Sequence, residues 1–387
     1  MSQTPIPFLF LRGGSSRGPY FRRSDLPDDQ DLLSEVLIAS LGAGHPLNID
    51  GIGGGASVTT KVAMLSAAKE AGHDIDYFFA QVAVDERSVD YRPTCGNILS
   101  GVAPAAIEMG LIEARETTTS VRIRSVNTGA MIESLVRTPE GQVAYEGEAR
   151  IDGVPGSASP VRLSFMDTVG SLTDALLPTG HAREIIQGIE ITCMDVAMPV
   201  VMAKAQDFDL TGHESGEDLN RRADLLAKME ALRIEAGERM GLGDTSRSVV
   251  PKFALLAEAR AGGTIAARYF TPWKCHPSMA VTSAQCIAAC ALVPKTVAEN
   301  LVAPIGENPA SIRIEHPMGF FDLQMDYERK DGAIRIRSAS LLRTARLLAR
   351  GELFVPRSIW NPSARAPGSA SSSPAWAPKR SHRDSKA

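Results

Sequence analysis

The chain has 387 residues, of which 44% are hydrophobic, so it is long enough to bury a large core and to divide into two domains. Its net charge of -4, from 41 basic and 45 acidic residues, provides no basic excess for a phosphate backbone, which argues against a nucleic-acid partner. The longest apolar runs, such as IAACALV at 287–293, are far shorter than the roughly 20 residues of a membrane span.

The N-terminus and the cysteines indicate a reducing compartment. MSQTPIPFLFLRGG lacks the layout of a signal peptide, so we expect a cytoplasmic protein. The five cysteines include no CxxC pair, and the seven histidines are scattered along the chain. These spacings predict reduced thiols and no metal site.

The chain contains three glycine-rich stretches: LRGGSSRG at 11–18, DGIGGGAS at 50–57 and ARAGGTIAAR at 259–268. Backbone N–H groups in such turns bind anions, and Arg12 and Ser15 add charge and donors to the first stretch. Tight turns without a ligand are the alternative interpretation. GIGGGA lacks the register of a dinucleotide-binding fingerprint, and the chain has neither a P-loop nor a G-x-S-x-G nucleophile elbow.

One nine-residue phrase occurs twice, as SVTTKVAML at 57–65 and as SVVPKFALL at 248–256. The same offset places SVRI at 120–123 on SIRI at 311–314, and a second offset places Cys95 on Cys275. A period this long exceeds the unit of a solenoid repeat. The pattern therefore predicts a duplicated domain.

Each half is predicted to be rich in β-strand, with one or two helices. VRIRSV at 121–126, MIESLVR at 131–137 and QVAYEGEARI at 142–151 have the residues and the turn boundaries typical of strands. The charged segment at 216–240 is predicted to be an amphipathic helix inserted into the second half.

A central helix is predicted in each half, beginning near Cys95 and near Cys275, and the first ends at Gly110. A helix N-terminus exposes unpaired N–H groups and a partial positive charge, which attract carboxylates and favour a thiolate. Two such termini facing each other across a cleft would suit a small carboxylate. The alternative is that both cysteines are small buried residues that fill space.

Lys61 lies between a glycine-rich loop and an apolar run. Desolvation there would lower the pKa of this lysine, as a general base requires, and the alternative is an exposed strand lysine. Its counterpart in the repeat, Lys252, follows a proline and is interpreted as structural.

Nine segments in order resemble one known family: LRGGSSRGPYF, DGIGGGASVTTKVAML, VDYRPTCGNILSGVAPAAIEMGLI, VNTG, IDGVPG, LLPTG, MPVV, KCHPSMAVTSA and LLRTARLL. Together they are similar to the family of the 4-oxalomesaconate tautomerases and the 2-methylaconitate cis-trans isomerases, which has the diaminopimelate-epimerase-like fold. Ser15, Arg17 and Ala280 depart from the residues that are usual in this family.

The resemblance implies an α+β, duplicated diaminopimelate-epimerase-like fold, in which two similar β-barrel-like domains each surround a central helix. We expect the domains at residues 1–184 and 185–360, with the active site between them. Residues 361–387, rich in Ser, Pro, Ala and basic residues, match nothing in the family and are predicted to be a disordered C-terminal tail.

The resemblance also implies a site. Lys61 would be the general base, and Cys95 would lie opposite it as an acid or auxiliary group. The implied substrate-binding residues are Arg12, Gly13, Gly14, Ser15, Ser57, Gly96, Asn97, His276 and Ser278. Arg343, in the RTAR motif, receives no role.

The implied reaction is a cofactor-independent keto-enol tautomerisation of 4-oxalomesaconate by 1,3-allylic proton transfer, in gallate degradation. We expect a small tricarboxylate-type substrate, no cofactor, no metal and a homodimer. Cis-trans isomerisation of 2-methylaconitate is one alternative. A non-catalytic carboxylate-binding protein is another.

Overall fold

The computed structural model describes residues 2–92, 94–166, 168–271, 273–330 and 333–362, so nearly all of the predicted tail lies outside the described residues. The first-half strands are β1 (Gln3–Gly13), β2 (Ser16–Arg22), β3 (Lys61–Ala67), β4 (Ile75–Val82), β5 (Val89–Asp90), β6 (Thr117–Ser125), β7 (Met131–Thr138) and β8 (Pro160–Met166). The others are β9 (Glu184–Ile186), β10 (Ile189–Asp195), β11 (Pro199–Lys204), β12 (Lys252–Ala257), β13 (Ile265–Phe270), β14 (Ala310–His316), β15 (Gly319–Lys330) and β16 (Ala333–Pro356). The α-helices are α1 (Gln30–Leu41), α2 (Gly96–Leu99), α3 (Val102–Glu108), α4 (Gly216–Asn220), α5 (Ala223–Arg239) and α6 (Val281–Leu292).

The strands form one sheet, in the order β1-β2-β3-β4-β6-β7-β8-β16-β15-β14-β13-β12-β11-β10-β9, with β5 paired to β4. In the first half, β2 pairs parallel with β3 and β4 with β6, and the neighbouring pairs are antiparallel. The second half repeats this order, because β11 is parallel to β12 and β13 to β14. The predicted duplicated, strand-rich fold is confirmed.

Strand β16 is shared by both halves. Up to Thr344 it pairs with β15 and β8, and from Ala345 to Pro356 it pairs with β1. The second pairing closes the first run of strands into a barrel. The predicted boundary at residue 184 falls in β9, and the division into residues 1–184 and 185–360 stays a prediction.

The helices form an inner and an outer layer. Helices α2, α3 and α6 share one central core with residues of both runs of strands, and we call the face of the sheet that packs on them the interior face. Helix α1 covers the outer face of the first run, and α4 and α5 cover that of the second. Side chains alternate along a strand, so on β3 Ala63 and Leu65 face inward while Val62 and Met64 face α1.

The charged segment at 216–240 is helical, as predicted, but it is not an insertion. Parallel neighbours require a crossover connection, and α4 and α5 lie in the crossover between β11 and β12. Helix α1 occupies the same place between β2 and β3. Both halves therefore have a crossover helix.

The strand predicted at 142–151 is wrong. This segment is irregular and makes a single β-bridge, between Ala149 and Ala158. Strand β7, which precedes it, is already paired with β6 on one side and β8 on the other. No edge of β7 remains for a further strand, whereas the strands predicted at 121–126 and 131–137 are β6 and β7.

Candidate active site

The first glycine-rich stretch forms the hairpin between β1 and β2, with Gly14 and Ser15 in its two-residue turn. Gly14 has a φ of 53°, in the left-handed region that glycine adopts without strain. Its N–H donates to the carbonyl of Thr344 at 2.9 Å. The amide of Asn97 donates to the Ser15 hydroxyl at 3.1 Å. The turn is thus held between β16 and the start of α2.

The central helices of the two halves begin next to each other. Cys95 is the N-cap residue of α2, and Ala280 is that of α6. A Cβ atom on Gly96, the first residue of α2, would lie 2.9 Å from Cγ2 of Val281, the first residue of α6. Only glycine allows this approach, which brings the unpaired N–H groups of both helix starts together.

Lys61 begins β3 and is half-buried. Its Nζ lies 2.5 Å from Oε1 of Gln81, the residue opposite on β4, and 5.4 Å from the centre of the Phe79 ring. Gln81 donates from Nε2 to the carbonyls of Ser57 and Val82, both at 3.1 Å. Because these bonds fix the amide, its oxygen stays directed at the Lys61 amine.

Lys61 and Cys95 belong to the same region of the interior. Residues 61, 63 and 65 of β3 alternate onto the interior face, opposite Gln81, Phe79 and Tyr77 of β4. The Tyr77 hydroxyl donates to the carbonyl of Cys95 at 3.4 Å, and Cys95 packs against the central core. The interior face of β3 and β4 therefore carries the lysine at one end and contacts the start of α2 through Tyr77.

Ser278 lies between two histidines. Its N–H donates to Nδ1 of His276 at 3.0 Å, and its hydroxyl lies 3.2 Å from Nε2 of His316. Nδ1 of His316 accepts the N–H of Met318, so both rings, when neutral, carry their proton on Nε2. Burial lowers the pKa of both histidines, which favours these neutral forms.

The direction of these hydrogen bonds limits the chemical role of the Ser278 hydroxyl. His316 donates to the serine oxygen and so cannot take the hydroxyl proton, which excludes a serine nucleophile activated by this histidine. The hydroxyl proton of Ser278 is therefore available to another acceptor. Ser278 precedes the N-cap of α6 by two residues, so that acceptor would lie near the helix starts.

Arg12 is engaged by protein oxygens. Its Nη1 donates to the Gly14 carbonyl at 2.8 Å and to the carbonyl and hydroxyl of Thr344 at 3.1 and 3.0 Å. Burial and the neighbouring Arg346 lower the pKa of Arg12. These contacts brace the Gly14 turn against β16, and direct substrate binding by Arg12 stays a prediction.

Several of the predicted site residues contact one another, whereas Ser57 and the cysteine predicted at the second helix start do not join them. The turn residues Gly13, Gly14 and Ser15 contact Asn97 of α2. Ser57 is exposed and contributes only its carbonyl, to Gln81. Cys275, predicted at a helix start, lies five residues before the N-cap of α6 and packs in the outer core, where burial raises its pKa to about 11. Ala280 occupies the place that corresponds to Cys95.

Gln81, His316 and Thr344 were missed by the sequence analysis. Each acts through a partner distant in sequence, and no local motif marks these side chains.

The third glycine-rich stretch binds an anion that belongs to the chain itself. The buried carboxylate of Glu315 accepts hydrogen bonds from the backbone N–H groups of Arg260, Ala261 and Gly263, at 2.9, 2.6 and 2.9 Å. Burial alone would raise the pKa of Glu315, but these donors outweigh it and the pKa is lowered. This loop is therefore a structural anion site.

Lys252 repeats the position of Lys61. It begins β12 as Lys61 begins β3, and the next residue on its face, Ala254, belongs to the central core. Burial, with a smaller effect of Arg233, lowers the pKa of Lys252 to about 8.

Replacing Lys252 with methionine is expected to raise the free energy of unfolding at pH 7 by on the order of 1 kcal/mol, since partial exposure screens the burial penalty. The pKa of this lysine is about 8 in the folded state and has its ordinary value of 10.5 in the unfolded state. Between these values the unfolded state binds more protons, so the unsubstituted protein gains stability as pH rises. Urea unfolding at pH 7, 9 and 10 should show the two proteins converging. A pH-independent difference would contradict this.

Comparison with known proteins identifies the family. The PrpF protein family matches residues 3–356. The chain is 44% identical to the 4-oxalomesaconate tautomerase of Pseudomonas putida, an alignment that covers 93% of this chain and 99% of the relative. It is 32% identical to the 2-methyl-aconitate isomerase of Shewanella oneidensis, over 92% of this chain and 98% of the relative.

A solved structure gives the same result. The crystal structure of a methylitaconate-delta-isomerase matches with a TM-score of 0.83 and 30% identity, covering 97% of this chain and 100% of that chain. These relatives confirm the predicted class of enzyme, an isomerase. The motifs that suggested the family are likewise confirmed, and the chain belongs to the PrpF protein family.

Proposed function

We propose that this protein is a cofactor-independent isomerase that transfers a proton along the allylic system of 4-oxalomesaconate. The observation that carries the proposal is the position of Lys61, which is half-buried on the interior face and held by the fixed amide of Gln81. The 44% identity to a relative named 4-oxalomesaconate tautomerase supports the choice of substrate.

The proposed reaction needs only acid-base chemistry. In its neutral form, the Lys61 amine takes a proton from a carbon next to the oxo group. The electron pair left behind spreads over the oxo oxygen and the conjugated carboxylate as a dienolate. Return of a proton at the other end of the allylic system, or at oxygen, completes the isomerisation without any net oxidation. We assign Cys95, in the same region of the interior, to this second proton transfer.

The substrate-binding groups stabilise negative charge. Gly13 and Gly14 shape one proposed subsite, in which the N–H and hydroxyl groups of Ser15 and Asn97 bind a carboxylate. Gly96 contributes its N–H at the start of α2, which adjoins the start of α6. His276 and Ser278 supply donors from the second half, because the Ser278 hydroxyl proton is free to reach a carboxylate or dienolate oxygen.

Proton exchange tests the proposal directly. The protein is mixed with 4-oxalomesaconate in D2O, and deuterium incorporation and the ratio of tautomers are followed by NMR. We expect exchange far above the rate without protein. Exchange no faster than the uncatalysed rate would contradict the proposed substrate.

Isomerisation of 2-methylaconitate is the second candidate, because a relative with 32% identity has this name and the proton-transfer chemistry is the same. The higher identity to the tautomerase favours 4-oxalomesaconate. The same NMR experiment with 2-methylaconitate separates the two. A protein inert with both substrates would fit the third alternative, a non-catalytic carboxylate-binding protein.

Further proposals concern the setting of the enzyme. No helix in the described ranges is long and apolar enough to cross a membrane. A cytoplasmic location, a role in gallate degradation and a homodimer stay proposals. The net charge of -4 supports the absence of a nucleic-acid partner.

A further inference from the structure

Arg343 lies at the point where β16 passes from one half of the molecule to the other. The pairing with β8 ends at Thr344, and the pairing with β1 begins at Ala345. Ala339, Leu341 and Ala345 are residues of the central core, and Arg343 alternates with them on the interior face. A guanidinium group thus stands in an otherwise apolar row between the two halves.

The described contacts leave this charge without a carboxylate partner. The guanidinium carbon lies 4.7 Å from the centre of the Phe321 ring, and Nη1 donates to the carbonyl of Leu342 at 2.8 Å. No acidic side chain in the described ranges forms an ion pair with Arg343, and Asp322, the acidic residue beside Phe321, is paired with Arg313 at 2.7 Å. Burial lowers the pKa of Arg343 to about 10, which leaves it protonated at neutral pH.

Two fully buried charges in the described ranges show how such groups are matched by partners. The guanidinium of Arg233 is paired with Glu230 at 2.7 Å. Asp195 accepts hydrogen bonds from Ser171, Leu172 and Thr173. A buried charge without such partners is unfavourable, and the planar fork of an arginine fits a carboxylate with two parallel hydrogen bonds.

The position of Arg343 also fits the proposed site. The next residue, Thr344, accepts the N–H of Gly14 through its carbonyl, so Arg343 adjoins the turn assigned to carboxylate binding. Arg12, another arginine near this turn, uses its Nη1 to brace Gly14 and Thr344. Of these two cations, Arg343 is therefore the one whose charge faces the interior without a carboxylate or a bracing role.

We infer that Arg343 binds one carboxylate of the substrate from the interior face and thereby selects tricarboxylates over dicarboxylates. This inference rests on the proposed function and deepens it. The donor atoms Nε and Nη2 supply the fork, while Ser15 and Asn97, beside the Gly14 turn, bind a second carboxylate.

Calorimetric titration of non-reacting ligands tests this role apart from catalysis. The probes are propane-1,2,3-tricarboxylate and pentanedioate, which lacks the central carboxylate. We expect the unsubstituted protein to bind the tricarboxylate at least tenfold more tightly, and Arg343→Met to remove most of that preference. Arg337→Met is the matched control, because Arg337 is an exposed arginine on the same strand and pairs with Glu328 at 2.9 Å.

Thermal unfolding distinguishes binding from a structural role. Without ligand, Arg343→Met should unfold at the same temperature as the unsubstituted protein or higher, since a half-buried charge without a carboxylate partner is removed. Should Arg343→Met fail to fold, Arg343→Lys serves instead, because it keeps the charge but loses the fork and should weaken the preference severalfold.

Three results would overturn the inference. In the first, the Arg343 variants show the same preference between the two probes as the unsubstituted protein, while proton exchange with 4-oxalomesaconate is normal. This result leaves the proposed function intact. In the second, neither variant folds, which makes the arginine structural. In the third, the unsubstituted protein binds no tricarboxylate and exchanges no proton, which removes the function as well.

Discussion

Replacing Lys61 with alanine is expected to slow deuterium exchange into 4-oxalomesaconate by about 10²–10⁴-fold, the range contributed by a positioned general base. The physical reason is that the substitution removes the amine proposed to take the proton. Its neighbours, the Gln81 amide at 2.5 Å from Nζ and the Phe79 ring, supply no base. The rate is measured by NMR under saturating substrate, and folding is verified by thermal unfolding.

The matched control is Lys252→Met, which removes the lysine at the corresponding position of the second half and should leave the exchange rate unchanged. Exchange within twofold of normal in Lys61→Ala would remove the proposed base. A large loss in the Lys252 variant alone would transfer that role to the second half.

Replacing Gly18 with alanine should have the largest effect on stability. Gly18 lies in β2, and a Cβ atom there would stand 1.7 Å from the carbonyl oxygen of Lys61 and 2.8 Å from its carbon. Both atoms are backbone, so β2 and β3 must separate. We expect a loss of roughly 3 kcal/mol or more in the free energy of unfolding, measured in urea.

The same substitution should also lower activity, because the displaced backbone is that of the proposed base. Gly306→Ala is the control, since nothing lies within 4 Å of a Cβ atom at that glycine. Its effect should stay within about 0.5 kcal/mol. A Gly18 variant as stable as this control would show that the strands tolerate the methyl group.

The sequence was most informative where the signal is local. The apolar spacing after Cys95 predicted the helical segment now seen as α2 and α3, and the repeated phrase around Lys61 and Lys252 predicted the duplication. Both depend on residues that are neighbours in the chain. The LRGG stretch likewise marks a tight turn, because Gly14 needs a positive φ.

Contacts across the sheet could not be predicted in this way. Gln81 faces Lys61 only because β3 and β4 pair in one particular register. Glu315 fills the third glycine-rich loop from a strand far along the chain, so that loop could be interpreted as a ligand site. Cys275 was matched to Cys95 by identity alone, whereas the pairing of Ala63 with Phe79 and of Ala254 with Tyr269 shows a different offset.

The sharing of β16 has a consequence for the order of folding. The first half leaves the ribosome before residues 338–356 have been made, and until then β1 and β8 each lack a neighbour along one edge. Closing the first barrel joins segments at opposite ends of the chain, which makes this a late and slow step. Unpaired edges attract strands of other molecules in the meantime. The growing chain is therefore vulnerable to aggregation until residues 345–356 have been made and paired with β1.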